Sequence, residues 1–168
     1  MLIWSNNIKL SEELKTGILN RIQETLKDNK EFYTSFSINS VGQFISPYYS
    51  KVIENMMKDL GMYNNTTYVY NLWVQMYNSE TTTHGPHSHY GMNGNEIISF
   101  THIIDASKNK CFYFLDDYDN KIYPDNQESG DIFAWPSWLM HGVDKVKEPN
   151  FNRLIVAGNV SLTSYEGC

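Results

Sequence analysis

The pattern of hydrophobic and polar positions divides the chain into a helical first third and a strand-rich remainder. Ser11, followed by Glu12 and Glu13, predicts a helix start, because serine caps the first turn and acids favour a helix N-terminus. Apolar residues then recur at helical spacing, at Leu14, Ile18, Leu19, Ile22 and Leu26. We therefore expect a first helix that buries this stripe against a sheet.

A second helix is predicted to begin at Ser46-Pro47, with serine as the cap and proline at the first helical position. Its apolar stripe consists of Tyr49, Ile53, Met56 and Leu60. Gly61 comes after the stripe and predicts the helix end, because glycine commonly stands just past the last turn.

From Thr67 onward the residues become β-branched and aromatic with partial alternation, which is typical of strands. The predicted strands cover residues 67–77, 96–105, 110–115, 131–135, 141–146 and 153–162. Strands and helices do not alternate, so a Rossmann-like sheet is not expected. The pattern predicts a mainly β fold, a barrel or sandwich with N-terminal helices as a buttress. We expect one domain over 1–168, with a helical part at about 8–62 and a β core at about 67–162.

Composition and charge narrow the range of partners. The formal net charge is −6, and a nucleic acid partner is not expected because phosphate binding needs a basic face. No apolar run approaches the roughly 20 residues of a membrane span, and the N-terminal residues lack a signal-peptide pattern. Cys111 and Cys168 are too few for a disulfide framework. We expect a cytoplasmic protein without a membrane partner, whose oligomeric state the sequence leaves open.

Three of the five histidines lie within six residues, at His84, His87 and His89. Residues two apart on a strand point the same way, so His87 and His89 can face one pocket. His84 precedes a Gly-Pro turn and is harder to direct there. Neutral imidazoles are ligands for iron, zinc, copper and nickel. The cluster favours a metal site, and the other interpretation is a polar loop with solvated histidines.

Two residues farther along the chain strengthen the metal interpretation. His141 comes after an apolar strand and a Pro-Ser turn, in the position of a distal metal ligand. Arg153, twelve residues later, lies in a nearly uncharged strand, where burial is costly unless a carboxylate meets the guanidinium. The guanidinium fork matches a carboxylate with two hydrogen bonds. A dicarboxylate that also chelates the metal would need this arrangement, whereas an edge-strand arginine would reach solvent instead.

The order of these motifs resembles that of the Fe(II)/2-oxoglutarate-dependent oxygenases. The pieces that carry the resemblance are His87-Ser88-His89, the stretch 129–143 (SGDIFAWPSWLMHGV) and the stretch 152–159 (NRLIVAGN). The chain is most similar in kind to the small oxygenases of bacteria and phages that are relatives of the prolyl hydroxylases, over residues 67–162 or so. The resemblance implies a double-stranded β-helix, the cupin-like jelly roll.

The resemblance also implies a role for individual residues. His87, His89 and His141 would hold iron(II), and Arg153 would pair with the C5 carboxylate of 2-oxoglutarate, a small-molecule cosubstrate. The other residues implied to contact the cosubstrate are Tyr77, Ser99 and Thr101. The implied reaction uses O2, with ascorbate in support, and hydroxylates a peptide residue or small metabolite while succinate and CO2 are released. The sequence does not identify this prime substrate.

One departure from the family pattern leaves alternatives open. The usual ligand set is two histidines and one carboxylate, whereas His89 stands at the second position here. A displaced acid such as Glu96 or Asp105 would complete the usual set. Another alternative is a cupin-like dioxygenase that uses three histidines and no 2-oxoglutarate. The third is a non-catalytic jelly-roll binding module.

Overall fold

The computed structural model describes residues 1–25, 32–36, 39–79, 84–90 and 95–165. The helices and strands are arranged along the chain as β1 (Trp4–Asn7), α1 (Glu12–Thr25), β2 (Phe32–Thr34), α2 (Asn39–Asp59), β3 (Thr66–Tyr77), β4 (His84–His87), β5 (Glu96–Asp105), β6 (Phe112–Leu115), β7 (Lys121–Ile122), β8 (Asp131–Pro136), β9 (His141–Val143) and β10 (Arg153–Tyr165).

The strands form two antiparallel sheets. The larger sheet has the order β1-β8-β5-β10-β3-β2, and the smaller has the order β4-β9-β6-β7. Strand β10 is the centre of the larger sheet, where it pairs with β3 on one side and β5 on the other. Two antiparallel sheets with this strand order form a jelly roll. The predicted fold class, mainly β with N-terminal helices, is confirmed.

The larger sheet has two different faces, because successive side chains on a strand point to opposite sides. One face, which we call the helix face, packs against α1 and α2. Its apolar residues include Val74, Ile98, Ile132, Leu154 and Val156. The other face, which we call the cavity face, packs toward the smaller sheet. Its apolar residues include Trp73, Ile103, Phe133, Ile155 and Ala157.

The first helix begins and packs as predicted. The Leu14 backbone N–H donates to Ser11 Oγ at 3.2 Å, which is the expected cap. Ile18 and Ile22 are fully buried in the cluster on the helix face, and Leu14 and Leu19 pack against it. Burying such side chains contributes roughly 1.5–3 kcal/mol each. Leu26, the last predicted member of the stripe, lies outside the described residues.

The predicted start of the second helix at Ser46-Pro47 is wrong. Helix α2 begins at Asn39, and Pro47 lies inside it. Ser46 does not act as a cap, since its hydroxyl bonds Tyr70 OH at 3.1 Å. An interior proline costs about 3 kcal/mol, but the part of α2 before it buries Val41 and Ile45 completely, and this packing offsets the cost.

The predicted end of the second helix is confirmed. Gly61 has φ of +71°, the left-handed conformation that glycine adopts without strain. Its N–H donates to Lys58 O, and the Met62 N–H donates to Met57 O, so two carbonyls of the last turn are satisfied. Neither helix in the described part of the chain is both long and apolar enough to cross a membrane.

All six predicted strands are present, with bounds that differ by a few residues. The strands that the pattern did not predict are short, namely β1, β2, β4 and β7. Among these short strands, β4 matters most, because it carries two of the clustered histidines.

Candidate metal centre

Two histidines lie opposite each other on neighbouring strands of the smaller sheet. His87 on β4 is the register partner of His141 on β9. Directly paired residues of antiparallel strands project on the same side of the sheet, so both rings face the interior. Their ring centroids are 4.5 Å apart.

His89 comes from the loop after β4 and reaches the larger sheet. Its backbone N–H donates to Ser137 O at 2.9 Å, which fixes the loop against the turn after β8. Its ring Nδ1 lies 2.6 Å from Asn159 Oδ1 on β10 and 3.1 Å from Ser99 Oγ on β5. The third histidine is therefore held by the larger sheet, while the other two belong to the smaller one.

The structure brings all three predicted ligand residues together. One ligand atom from each of His87, His89 and His141 lies within 4.8 Å of the other two. The ring centroid of His89 lies 5.1 Å from the ring centroid of His87 and 4.9 Å from the ring centroid of His141. Three imidazoles at these separations can bind one transition metal ion together, as ligands on one side of the ion.

Each of the three rings has its Nδ1 occupied by a hydrogen-bond acceptor. His87 Nδ1 lies 2.9 Å from Gly85 O, and His141 Nδ1 lies 2.9 Å from Leu139 O. A carbonyl oxygen only accepts, so these nitrogens carry the proton. Asn159 Oδ1 is the corresponding acceptor for His89. Each Nε2 is left with a lone pair, which is the arrangement that orients histidine ligands in metal sites.

Burial keeps the rings of His89 and His141 neutral. Desolvation is the main cause that lowers the pKa of His141 to about 3, and the neighbouring histidines lower it further. Burial likewise lowers the pKa of His89, although its hydrogen bond to Asn159 opposes the effect. The neutral form is the one that ligates a metal, so these two rings are in ligating form at neutral pH.

A cavity of about 240 Å³ opens in front of the three histidines, between the two sheets. Its walls are mainly aromatic and aliphatic, and no charged side chain lines it within the described part of the chain. The lining residues include Trp73, Tyr77, Thr101, Phe112, Trp135, Val143, Ile155 and Asn159. Trp135 and Phe112 also contact the His141 ring, at 4.9 and 5.6 Å between centroids.

Arg153 is the largest fully buried side chain, with 1% of its surface exposed. It lies at the first position of β10, opposite Tyr77 on β3, with its guanidinium carbon 5.7 Å from the Tyr77 ring. Neither Nη1 nor Nη2 has a hydrogen-bond partner among the described residues. Burial lowers the pKa of Arg153, and only Tyr77 and Cys111 oppose this, so no carboxylate in the described chain compensates the cation.

Tyr77, predicted to contact the cosubstrate, links Arg153 to the cavity. It lines the cavity and is itself buried. Its hydroxyl donates to Gln75 Oε1 at 2.6 Å and lies 3.0 Å from His84 Nδ1. Burial raises the pKa of Tyr77 well above its ordinary value, so the hydroxyl is neutral at neutral pH.

The structure places the two other predicted cosubstrate contacts differently. Thr101 lines the cavity, and its buried hydroxyl has no partner in the described chain. Ser99 is absent from the cavity wall; its hydroxyl contacts His89 and donates to Asn159 Oδ1 at 2.9 Å. Its contact with a cosubstrate stays a prediction.

The two acids that could have completed the usual ligand set occupy different ends of β5. Asp105 pairs with Lys15 of α1 at 2.6 Å, away from the histidines. Glu96 is buried at the opposite end and acts electrostatically on His89. Neither belongs to the group of ligand atoms that lie within 4.8 Å of one another, so the described ligand set is three histidines.

Sequence reasoning missed several functional partners. Asn159 holds His89, and its position six residues after Arg153 on one strand was a usable signal, since residues an even number apart share a face. Trp135 Nε1 is buried without a partner in the described chain, although the sequence showed only an apolar wall. His84, which its place before a Gly-Pro turn made harder to direct into the pocket, lines the cavity and stacks on His87 with ring centroids 4.5 Å apart.

Solved structures with the same fold include several oxygenases. An oxidoreductase of the 2OG-Fe(II) oxygenase family from Burkholderia pseudomallei is 12% identical with a TM-score of 0.65, and the match covers 90% of this chain and 78% of that one. A collagen prolyl hydroxylase from Paramecium Bursaria Chlorella virus-1, solved as a 2OG complex, is 12% identical with a TM-score of 0.56, and the match covers 96% of this chain and 97% of that one. AviO1 from Streptomyces viridochromogenes is 11% identical with a TM-score of 0.69, and the match covers 98% of this chain and 91% of that one.

The comparison by sequence is less informative than the comparison by structure. No protein-family model matches the sequence, and no curated protein matches it significantly. At identities this low, the structural likeness establishes the fold. The resemblance noted in the sequence is confirmed at that level: this chain has the double-stranded β-helix fold of the 2OG-Fe(II) oxygenases.

Proposed function

We propose that this protein is an iron(II)- and 2-oxoglutarate-dependent oxygenase that oxidises a C–H bond of a peptide residue or small metabolite. In this proposal the whole chain is one domain, in which the helices support the larger sheet. The fold of 2OG-Fe(II) oxygenases supports it, as does the group of three histidines that line the cavity.

The chemistry of the donor atoms fits a bound metal. His87, His89 and His141 would hold iron(II) through their Nε2 atoms, because each Nδ1 already bonds an oxygen acceptor. Imidazole is a suitable ligand for iron, and the acceptors behind the rings fix their orientation. The protein therefore presents three prepared ligands without needing a side-chain rearrangement.

The observation that carries the proposal is the buried guanidinium of Arg153, which no carboxylate among the described residues compensates. A buried cation without a counter-ion is strongly unfavourable, and its two terminal nitrogens match the two oxygens of a carboxylate. We propose that it binds the C5 carboxylate of 2-oxoglutarate, with Tyr77 beside it. The unpartnered hydroxyl of Thr101 and the indole N–H of Trp135 offer further hydrogen bonds inside the same interior.

Iron(II) and 2-oxoglutarate, when bound, supply the dioxygen chemistry that yields succinate and CO2 and oxidises the prime substrate. The chain's own residues contribute position and environment. Arg153 and Tyr77 fix the far end of the cosubstrate, and the walls formed by Trp73, Phe112 and Trp135 exclude water from the reacting atoms. Ser99 and Asn159 hold the His89 ring toward the metal.

The experiment that tests the proposal is succinate formation from 2-oxoglutarate by the purified protein with iron(II), ascorbate and O2. The matched control is His141→Ala, which removes one ligand from a buried position. We expect turnover in the wild type and loss of at least roughly 100-fold in the variant, since a ligand and its metal are lost together. Equal succinate from both proteins would contradict the assignment of the metal centre.

A second candidate is a cupin-like dioxygenase that uses the metal without 2-oxoglutarate, and the observation that favours it is the ligand set of three histidines. Anaerobic titration separates the two candidates. A visible charge-transfer band that forms only when iron(II) and 2-oxoglutarate are both present supports the first. Iron(II) binding that 2-oxoglutarate does not change, with no succinate formed, would favour the second.

A further inference from the structure

Trp135 on β8 has a buried donor that the described residues leave without an acceptor. Its side chain lines the cavity with 2% of its surface exposed, and its Nε1 has no hydrogen-bond partner among the described residues. The rings packed around it, at 4.9 to 5.8 Å between centroids, are those of Phe112, Phe114, Phe133 and His141. The phenylalanine rings have no lone pair to accept this hydrogen bond. A molecule bound in the cavity is therefore the partner that the described residues do not supply.

Strand register places Trp135 at the metal end of the cavity. Trp135 is the register partner of Ser99 on β5, which is paired in turn with Asn159 on β10, so the three side chains form one row on the cavity face. In this row, Ser99 and Asn159 contact Nδ1 of His89. The Trp135 ring lies against a second proposed ligand, with its centroid 4.9 Å from that of the His141 ring. The indole therefore belongs to the end of the cavity where the metal would bind.

Arg153 occupies a different level of the same sheet. It lies six residues before Asn159 on β10 and pairs with Tyr77 on β3. Thr101, whose buried hydroxyl also has no partner among the described residues, pairs with Ala157 and so lies between the two levels. A ligand that reaches from the metal to Arg153 would thus meet a different donor at each end, the indole at the metal end and the guanidinium at the far end.

The chemistry of the indole limits what can pair with it, because an indole N–H donates a hydrogen bond and does not accept one. The three proposed ligands are neutral imidazoles, so they compensate none of the charge of a divalent ion, and an anionic ligand is favoured beside them. In a cavity with mainly apolar walls, the oxygens of that anion need donors from the protein. A carboxylate oxygen and the indole N–H form a charge-assisted hydrogen bond, which is stronger than one between neutral groups.

We propose that the indole N–H of Trp135 donates to a carboxylate oxygen at the metal-binding end of the cosubstrate, opposite the end that Arg153 holds. This role rests on the proposed function, because it needs a metal at the three histidines and a chelating carboxylate on that metal. Trp135 contacts the bound carboxylate and does not ligate the metal. The protein would then recognise both ends of a dicarboxylate, each with its own buried donor.

The test compares the binding of 2-oxoglutarate and of oxalate to the Co(II) protein by calorimetry. Oxalate chelates a metal through two adjoining carboxylates and has no distant carboxylate for Arg153. Trp135→Phe removes the N–H and keeps an aromatic ring, and we expect both ligands to bind roughly tenfold more weakly or worse, because a charge-assisted hydrogen bond is lost. Arg153→Met is expected to weaken 2-oxoglutarate binding and to leave oxalate binding unchanged. Trp138→Phe, at an indole that is 57% exposed, is the matched control and should bind both ligands as the wild type does.

Two further readouts distinguish a hydrogen bond from structural support. Trp135→Phe should bind Co(II) as tightly as the wild type, because the three histidines are intact. NMR of the indole N–H groups of the four tryptophans needs no variant when the wild type is loaded with diamagnetic Zn(II). Oxalate is expected to shift the Trp135 N–H resonance downfield and to slow its exchange with solvent. The Trp4 resonance should not move, because its N–H already donates to Asp59 Oδ2 at 2.8 Å.

The outcomes separate the role of Trp135 from the proposed function. If Trp135→Phe binds both ligands as tightly as the wild type, and oxalate does not move the Trp135 resonance, the role of Trp135 alone is overturned. The same holds if the variant loses affinity for 2-oxoglutarate and keeps its affinity for oxalate, since the N–H would then serve the far end. Oxalate binding that depends on Trp135, in a protein that does not bind 2-oxoglutarate, would support the role of Trp135 and contradict the proposed function. A wild-type Co(II) protein that binds neither ligand would overturn both.

Discussion

The two faces of the larger sheet are both buried, yet they treat polar groups in opposite ways. On the helix face, His102 is fully buried and both ring nitrogens are satisfied: Nε2 donates to Ile8 O, and Nδ1 accepts from Tyr49 OH, each at 2.7 Å. On the cavity face, Arg153 and Thr101 have buried polar atoms without partners in the described chain, and so does Trp135.

The difference shows what each face is adapted to. Buried polar groups in folded proteins are nearly always paired, because an unpaired one costs roughly 1–3 kcal/mol. The helix face obeys that rule and contributes to stability. The cavity face departs from it at three of the described residues, which is the pattern expected where a polar ligand completes the pairing. Substitutions on each face should therefore affect different properties, namely ligand binding on the cavity face and stability on the helix face.

On the cavity face, Asn159→Ala removes the acceptor that holds Nδ1 of His89. We expect Co(II) affinity to fall roughly 10- to 100-fold, because partners behind a histidine ligand orient it and raise its basicity. The measurement is a Co(II) titration monitored by optical absorption. Asn159→Asp keeps an acceptor and serves as the matched control; affinity that Asn159→Ala leaves unchanged would contradict the assigned role.

On the helix face, Tyr49→Phe leaves Nδ1 of His102 without its donor. We expect the free energy of unfolding to fall by about 1–3 kcal/mol and Co(II) affinity to stay the same. Urea denaturation and the Co(II) titration measure the two quantities. Tyr123→Phe, at a largely exposed hydroxyl that bonds Asp144, is the control and should change stability by about 0.5 kcal/mol or less. A loss of metal binding in Tyr49→Phe would break the contrast between the faces.

Acid is expected to destabilise the metal-free protein. Burial lowers the pKa of His102, and it lowers the pKa of His84 to about 4 and that of His141 to about 3. Below the unfolded pKa of about 6.5 the unfolded chain binds protons that the folded chain does not, so the free energy of unfolding falls as pH falls.

The size of the acid effect can be divided between the faces. Each such histidine contributes up to about 1.4 kcal/mol per pH unit between its unfolded and folded pKa. Urea denaturation between about pH 7 and 5 measures the slope. Replacing either His102 or His141 with asparagine should reduce the slope of the free energy of unfolding against pH by up to about 1.4 kcal/mol per pH unit, which corresponds to one proton. A slope that neither replacement changes would show that other groups govern the acid response.

Thr101→Val gives the smallest expected effect. It replaces an unpartnered buried hydroxyl with a methyl group of the same shape. We expect the free energy of unfolding to stay the same or rise by about 1 kcal/mol, because a desolvation cost is removed. Binding of 2-oxoglutarate to the Co(II) protein, measured by calorimetry, should weaken a few-fold. A clear loss of stability would show instead that the hydroxyl is satisfied within the protein.

Much of the architecture can be predicted from local sequence patterns. The apolar stripe of α1 predicts a helix correctly, because burial on one side of a helix imposes a period that can be read directly. The β-branched and aromatic residues of β3, β5 and β10 predict strands correctly. The start of α2 cannot be predicted in this way, since local cap and proline preferences at Ser46-Pro47 were outweighed by the burial of Val41 and Ile45.

The candidate site could be predicted in part for a similar reason. Histidine and arginine stand out in apolar strands, so His141 and Arg153 were visible, and the spacing of His87 and His89 indicated a shared pocket. The role of Asn159, which bonds both His89 and Ser99, depends on the pairing between β5 and β10. Such register is a property of the assembled sheet and has no local pattern.

The measurement that tests the central claim most directly is the unfolding of Arg153→Met, compared with the wild type, without and with 2-oxoglutarate and Co(II). If Arg153 on the cavity face serves to bind an anion, the ligand-free variant should be as stable as the wild type or more stable by about 1–4 kcal/mol, because a buried charge without a partner among the described residues is removed. Ligand should then stabilise the wild type much more than the variant. A ligand-free variant that is several kcal/mol less stable, with equal stabilisation by 2-oxoglutarate in both proteins, would contradict an anion-binding role for Arg153.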